Sequence, residues 1–165
     1  MTGFPQHAHD HEACAARVLE EAERITRERG VRFTPLRRYV LEIILASHKP
    51  VGAYDLLTAL AREDSPAKPS PPTVYRALQF LQEQGFVHRI DSRNAYAACF
   101  APKTTHRGRF LLCRICGCAA EIDEPALDGT LKAVAARTGF SVEHETVELS
   151  GLCHECRDGS AHVVE

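Results

Sequence analysis

A chain of 165 residues, 44% of them apolar, is long enough for one domain or two small ones and ordinary for a fold that buries a core. No basic cluster leads into an apolar run at the N-terminus and no uncharged apolar stretch is long enough to span a bilayer, so a cytoplasmic protein is expected. The net charge of −2 disfavours nucleic acid as a partner for the chain taken whole, and seven cysteines, an odd number, favour metal ligands or free thiols over a disulfide framework.

The charge is unevenly spread. Between Arg24 and Arg38 six arginines stand against one acid, Glu28, whereas from Lys103 onward seven Lys and Arg face ten Asp and Glu. A phosphate-binding footprint therefore belongs to the first half. Solvated helix faces are the plainer explanation of the same arginines.

In chain order, residues 1–13 read as a flexible tail with His7, His9 and His11 in an unpatterned polar context and Cys14 just beyond. Gathering them around an ion carries a high ordering cost. From Cys14 to Arg29, Val18, Ala22 and Ile25 recur at helical spacing, and Gly30 stops the run. A second helix starts with Thr34 as cap and Pro35 in the first position, placing Leu36, Val40, Ile43 and Ile44 on one face. A third, over Ala53 to Arg62, offers Leu56, Leu57 and Leu60. Ser65 to Pro72 holds four prolines in eight residues and reads as a stiff connector. It ends in a helix start, Ser70 then Pro71, followed by Val74, Ala77, Leu78 and Leu81 on one stripe and a stop at Gly85. Arg76 lies opposite that stripe, with Thr73 on the same outer face and Tyr75 on its flank.

Strands over Phe86 to Ile90 and Ala95 to Phe100, joined by the polar turn Asp91 to Asn94, complete a winged helix-turn-helix. Such a unit lays the start of its last helix in the major groove, where a side chain such as Arg76 meets bases and phosphates. A small helical domain whose arginine faces water fits the same pattern. Beyond Lys103, strands are expected at Phe110 to Leu112 and Ala119 to Ile122, and a helix from Pro125 with Leu127, Leu131 and Val134 on its apolar face. Gly139 ends that helix; Phe140, Val142 and His144, then Val147 and Leu149, alternate as strands. This α/β unit is too slight to hold much core alone, and metal and dimerisation are natural remedies.

Two C-x-x-C pairs, Cys113 with Cys116 and Cys153 with Cys156, are a strong signature of a four-thiolate zinc site. A closed tetrahedral site of this kind supports folding and leaves no position for substrate. Cys118 beside the first knuckle reads as a strand residue. His88, Cys99, His106 and Glu121 form a second possible set, spread over the wing and the sequence beyond it. One ion on all four would clamp the two halves together; the other reading makes them surface histidines, a small buried thiol and a solvated acid.

The run from Thr73 to Arg89 (TVYRALQFLQEQGFVHR), then Tyr96 to Cys99, Thr105 to His106, CRICG at Cys113 to Gly117 and GLCHEC at Gly151 to Cys156, resembles the ferric-uptake-regulator family, and within it the zinc-responsive branch. The resemblance spans about Val18 to Arg157. It implies an α+β protein: a tail over 1–13, a winged-helix DNA-binding domain over 14–101, a hinge over 102–107 and a zinc-containing dimerisation domain over 108–165. It further implies two zinc ions per subunit, a structural one on Cys113, Cys116, Cys153 and Cys156 and a regulatory one on His88, Cys99, His106 and Glu121. DNA contacts fall on Tyr75, Arg76 and Thr73, with Arg32 at the entrance of the second helix as a backbone or minor-groove contact. The function implied is a homodimeric repressor of zinc-uptake genes on A·T-rich palindromic operators, with neither membrane nor small-molecule substrate. The chain departs from the family where a histidine-rich run often opens the second domain, since His106 stands there alone. The alternatives are a family member answering to iron or peroxide, a protein-interaction module stabilised by zinc, and a zinc enzyme; for the last, no proline precedes Cys113 or Cys153 as nucleobase deaminases require, and no general base accompanies the hinge set.

Overall fold

The computed structural model describes residues 11–61, 69–102 and 108–159. The expectations for His7, His9 and His106, and for the first part of the proline-rich connector, lie outside the described residues. Four helices open the chain: α1 (His11–Glu28), α2 (Pro35–Leu45), α3 (Ala53–Leu60) and α4 (Pro71–Glu83), with a two-residue strand β1 (Val51–Gly52) before α3. Thr34 caps α2 as its position suggests, its hydroxyl accepting from the Arg37 amide at 3.4 Å. Ser70 does not cap α4 in that way: its hydroxyl lies 3.0 Å from that of Thr73. The Thr73 and Val74 amides already donate to the Ser70 carbonyl, and Pro71 and Pro72 have no N–H to cap.

The wing is β2 (Val87–Ile90), a single 3-10 turn (Asp91–Arg93) and β3 (Ala95–Ala98), with Asn94 in the left-handed region at φ 47° where the chain reverses. β3 pairs antiparallel with both β2 and β1, a partner too short to be read from sequence. Leu41, Ile44, Leu45, Leu56, Leu60, Val74, Leu78, Leu81 and Phe86 are buried together where the helices meet the wing. Each such side chain contributes about 1.5–3 kcal/mol.

The second sheet has the order β5-β4-β6: β4 (Arg109–Cys113) and β5 (Ala119–Glu121) form a hairpin, and β6 (Val147–Gly151) lies parallel to β4 after a crossover through α5 (Pro125–Arg137). A four-residue helix, α6 (His154–Arg157), ends the described chain. The expected strand at Phe140 to His144 is not formed: these residues join neither outer edge of the sheet, and β4 is already flanked by β5 and β6. The expected apolar face of α5 is only partly covered in the single chain: Leu127 and Leu131 are half-buried, and Val134, with Phe140, Val142 and Leu149 beyond the helix, is exposed. A smaller buried cluster joins the two sheets, with Ile90 and Ala97 of the wing packed on Phe110 and Leu112 of β4.

Candidate metal centres and nucleic-acid interface

Parallel pairing of β4 with β6 sets Cys113 beside Gly151, which carries the chain directly into the second C-x-x-C pair. Gly117 supplies the left-handed conformation (φ 79°) that turns the first knuckle. The result brings the sulfurs of Cys113, Cys116, Cys153 and Cys156 all within 4.8 Å of one another. Cys116 Sγ and Cys153 Sγ are 3.9 Å apart, against about 3.8 Å for the edge of a tetrahedron with Zn–S bonds of about 2.3 Å. Burial opposes a thiolate at Cys113, yet the amides of Cys153, Cys116 and Ile115 donate to it and bring its pKa down to about 6. Cys156 is pushed up to about 12 by burial and by its sulfur neighbours, so the cluster holds back charge that a cation would release. This donor set fits a closed structural zinc. Cys118 is buried outside the group, at the foot of β5, and accepts at its carbonyl from the Cys113 amide.

A second group gathers at the other end of the β4–β5 hairpin, where Glu121 pairs with Phe110. His88 on β2, Cys99 just past β3 and Glu121 at the end of β5 bring one ligand atom each within 4.8 Å of the others, and His88 Nε2 is 3.1 Å from Glu121 Oε1. Cys99 is fully buried, its amide fixed on the Phe86 carbonyl at 2.9 Å. Burial, then the Glu121 charge, drive its pKa up to about 12. One imidazole, one thiolate and one carboxylate fit zinc, with room for a fourth ligand. Of the four residues expected here the structure brings together three; His106 lies outside the described residues. Sequence reading overlooked Gly108. A Cβ there would stand 2.7 Å from the His88 ring and 2.8 Å from that of Phe110, so only glycine passes the imidazole without displacing it. No periodicity signals such a close approach.

On α4, Tyr75 is 52% exposed and Arg76 is exposed beside it, whereas Thr73 is half-buried with its hydroxyl turned to Ser70. Arg32 is exposed ahead of α2. The arginine cluster from Arg24 to Arg38 is less free than its local charge count. Arg24 pairs with Glu21 and Glu28, and Arg38 with Glu23 and Glu42. Arg29 donates to the Gln84 carbonyl at 2.9 Å, and Arg37 lies 3.6 Å over the Phe80 ring while donating to the Arg32 carbonyl. Of these acids only Glu28 lies within Arg24 to Arg38; Glu21 and Glu42 are a helical turn from their partners, and Glu23 reaches Arg38 across the contact of α1 with α2. Tyr54, 80% exposed at the start of α3, is a second large aromatic left in solvent that sequence reading passed over.

The model of the ferric uptake regulator family matches residues 28–150. The zinc uptake regulation protein of Escherichia coli (strain K12) is 40% identical over 140 residues, covering 84% of this chain and 81% of that protein. A solved structure of a zinc uptake regulator complexed with zinc and DNA superposes with a TM-score of 0.80 at 38% identity, covering 88% of this chain and 96% of the other. The crystal structure of holo XcZur gives a TM-score of 0.76 at 41% identity over 87% of this chain and 99% of its own. That of apo XcZur gives 0.52 at 39% identity over 88% and 99%. With identity nearly equal, the overall shape of the chain is nearer that of the holo structure than that of the apo one.

Proposed function

Because the chain belongs to the ferric uptake regulator family, we propose that it is a zinc-responsive transcriptional repressor that binds A·T-rich palindromic operators of zinc-uptake genes as a homodimer. The observation that carries this reading is the group His88, Cys99 and Glu121, whose ligand atoms converge from the wing and from the second sheet. The 40% identity to a zinc uptake regulation protein supports it independently. A buried thiol in that group favours zinc over iron, which takes sites richer in imidazole and carboxylate.

In this reading residues 14–101 are the DNA-binding domain and 108–165 the dimerisation domain, with 102–107 as the hinge between them. Two ions are held per subunit. Cys113, Cys116, Cys153 and Cys156 hold a structural one, and His88, Cys99 and Glu121, joined by His106 from the hinge, hold the regulatory one. A bound zinc supplies the charge that lets the Cys99 thiol give up its proton and the donors of both halves stay converged. The chain's own part is to keep those donors in reach and to carry Tyr75, Arg76 and Thr73 on α4, with Arg32, toward DNA. In a dimer the exposed apolar side chains of α5 and the segment after it are covered, and the two α4 helices reach successive major grooves about 34 Å apart. When the ligands are empty the halves are free to separate, and apparent operator affinity falls by the fraction of closed molecules. Catalysis has no part in this reading. No described helix is long and apolar enough to cross a membrane. In this reading the protein works in the cytoplasm, the compartment that holds a repressor's operators.

The test is binding to a labelled A·T-rich palindromic duplex during a titration of free zinc, with iron(II) as the competing signal. Tight binding that needs zinc and falls steeply with salt is expected. Equal binding with and without zinc, or binding that answers only to iron(II), would overturn the reading.

A further inference from the structure

The first zinc knuckle presents three backbone groups outward, and all three meet the first half of the chain. The Gly117 and Cys113 carbonyls accept from the two terminal nitrogens of Arg93, at 2.7 Å and 3.0 Å. The Ala119 amide donates to the His48 carbonyl at 3.0 Å. The far side of the same wing turn is held as well: the Glu148 carboxylate accepts from the Asp91 and Ser92 amides at 2.6 Å and 3.2 Å, and the Thr146 hydroxyl donates to Asp91 at 3.2 Å. Between these two grips Ile90 and Ala97 are buried against Phe110 and Leu112. None of these contacts uses a ligand atom of the His88 group.

We infer that Arg93 is a positioning residue for zinc sensing: its guanidinium latches the wing onto the structural-zinc knuckle and so holds part of the closed arrangement independently of the regulatory ion. The planar fork spans two carbonyls four residues apart, and only a folded knuckle sets both within its reach. The latch therefore reads whether the structural site is formed. By raising the closed fraction before the regulatory ligands are filled, it strengthens zinc binding and operator binding together, as linkage requires. Glu148, gripping the turn from the other side, acts in the same direction. This inference rests on the reading given under Proposed function.

The experiment compares full-length wild type, Arg93→Ala, Arg93→Lys and Glu148→Gln. Regulatory zinc binding is measured without DNA by competition with a chelator, and operator binding is measured across salt concentrations. In Arg93→Ala the structural zinc stays bound, while the free zinc needed for half-saturation of the regulatory site rises by at least about tenfold, the loss that even one of the two charge-assisted hydrogen bonds would bring. Operator binding needs correspondingly more zinc, with an unchanged salt slope. Arg93→Lys, which cannot span both carbonyls, falls between the two, and Glu148→Gln shifts the same way by a smaller factor. Zinc binding unchanged in Arg93→Ala overturns the inference, and if the salt slope falls by about one at the same time, Arg93 is a phosphate contact instead. Wild type that binds operator without regard to zinc overturns the functional reading itself, a result visible before any variant is compared.

Discussion

Cys99→Ser separates zinc sensing from folding. In the metal-free protein the thiol is buried and beside Glu121, with a pKa pushed up to about 12. At pH 7.5 it is protonated, so the thiolate that zinc requires is withheld by about four to five decades, of order 6 kcal/mol at 1.36 kcal/mol per unit. Binding zinc releases the Cys99 proton, so zinc affinity at this site should rise about tenfold per pH unit from 7.5 to 9.5. In the metal-free protein the sign reverses: a folded pKa raised above the ordinary thiol value of 9.0 gives stability that is complete below pH 9 and is lost as pH rises toward 12. Serine offers no comparable thiolate. The expected outcome for Cys99→Ser is a folded protein with its structural zinc, a regulatory affinity at least about 100-fold weaker at pH 8.5, and a pH slope near zero. Chelator competition at a series of pH values, with operator binding alongside, reads all three. A variant that keeps both the wild-type affinity and the wild-type slope would show that Cys99 is not a ligand and would refute the assignment.

Cys113→Ser removes a sulfur from the four-thiolate group; zinc content measured by a colourimetric chelator should fall, and far-UV circular dichroism should show the β4–β6 sheet melting, since apparent binding energies of about 10–16 kcal/mol are folding energy in such sites. Retention of structure after loss of the metal would make that zinc dispensable. Arg76→Ala on the exposed face of α4 should weaken operator binding by about 1–3 kcal/mol in fluorescence anisotropy while chelator competition gives unchanged zinc affinity; unchanged operator binding would remove Arg76 from the interface. Phe86 is fully buried at the junction of α4 and the wing, 6.1 Å from the Phe33 ring, so Phe86→Ala should cost about 3–5 kcal/mol in chemical denaturation, and a loss below about 1 kcal/mol would contradict the packing described.

Those outcomes divide between features set by neighbours in sequence and features set by neighbours in space. The helices, the wing and both C-x-x-C knuckles are legible from the chain alone because their causes are local: the Thr34 cap with Pro35, the helical recurrence of Val74, Leu78 and Leu81, and the spacing of two thiols across a turn. The family resemblance, carried by motifs in fixed order, pointed from the same letters to zinc and DNA. Local reading failed where the deciding partner was distant. The strand expected at Phe140 to His144 alternates in sequence but pairs with no strand, whereas the two-residue β1 is a strand because it pairs with β3. The arginines from Arg24 to Arg38 were counted as free charge, yet Arg24 and Arg38 are paired with acids that packing or helical turns bring alongside. Only the tertiary structure brings His88, Cys99 and Glu121 within one ion's reach, demands glycine at 108 against the His88 ring, and hands Arg93 two carbonyls of the zinc knuckle. Periodicity records which side of an element is apolar; the meeting of side chains from separate elements follows from how sheets pair and pack, a choice made by the whole chain at once.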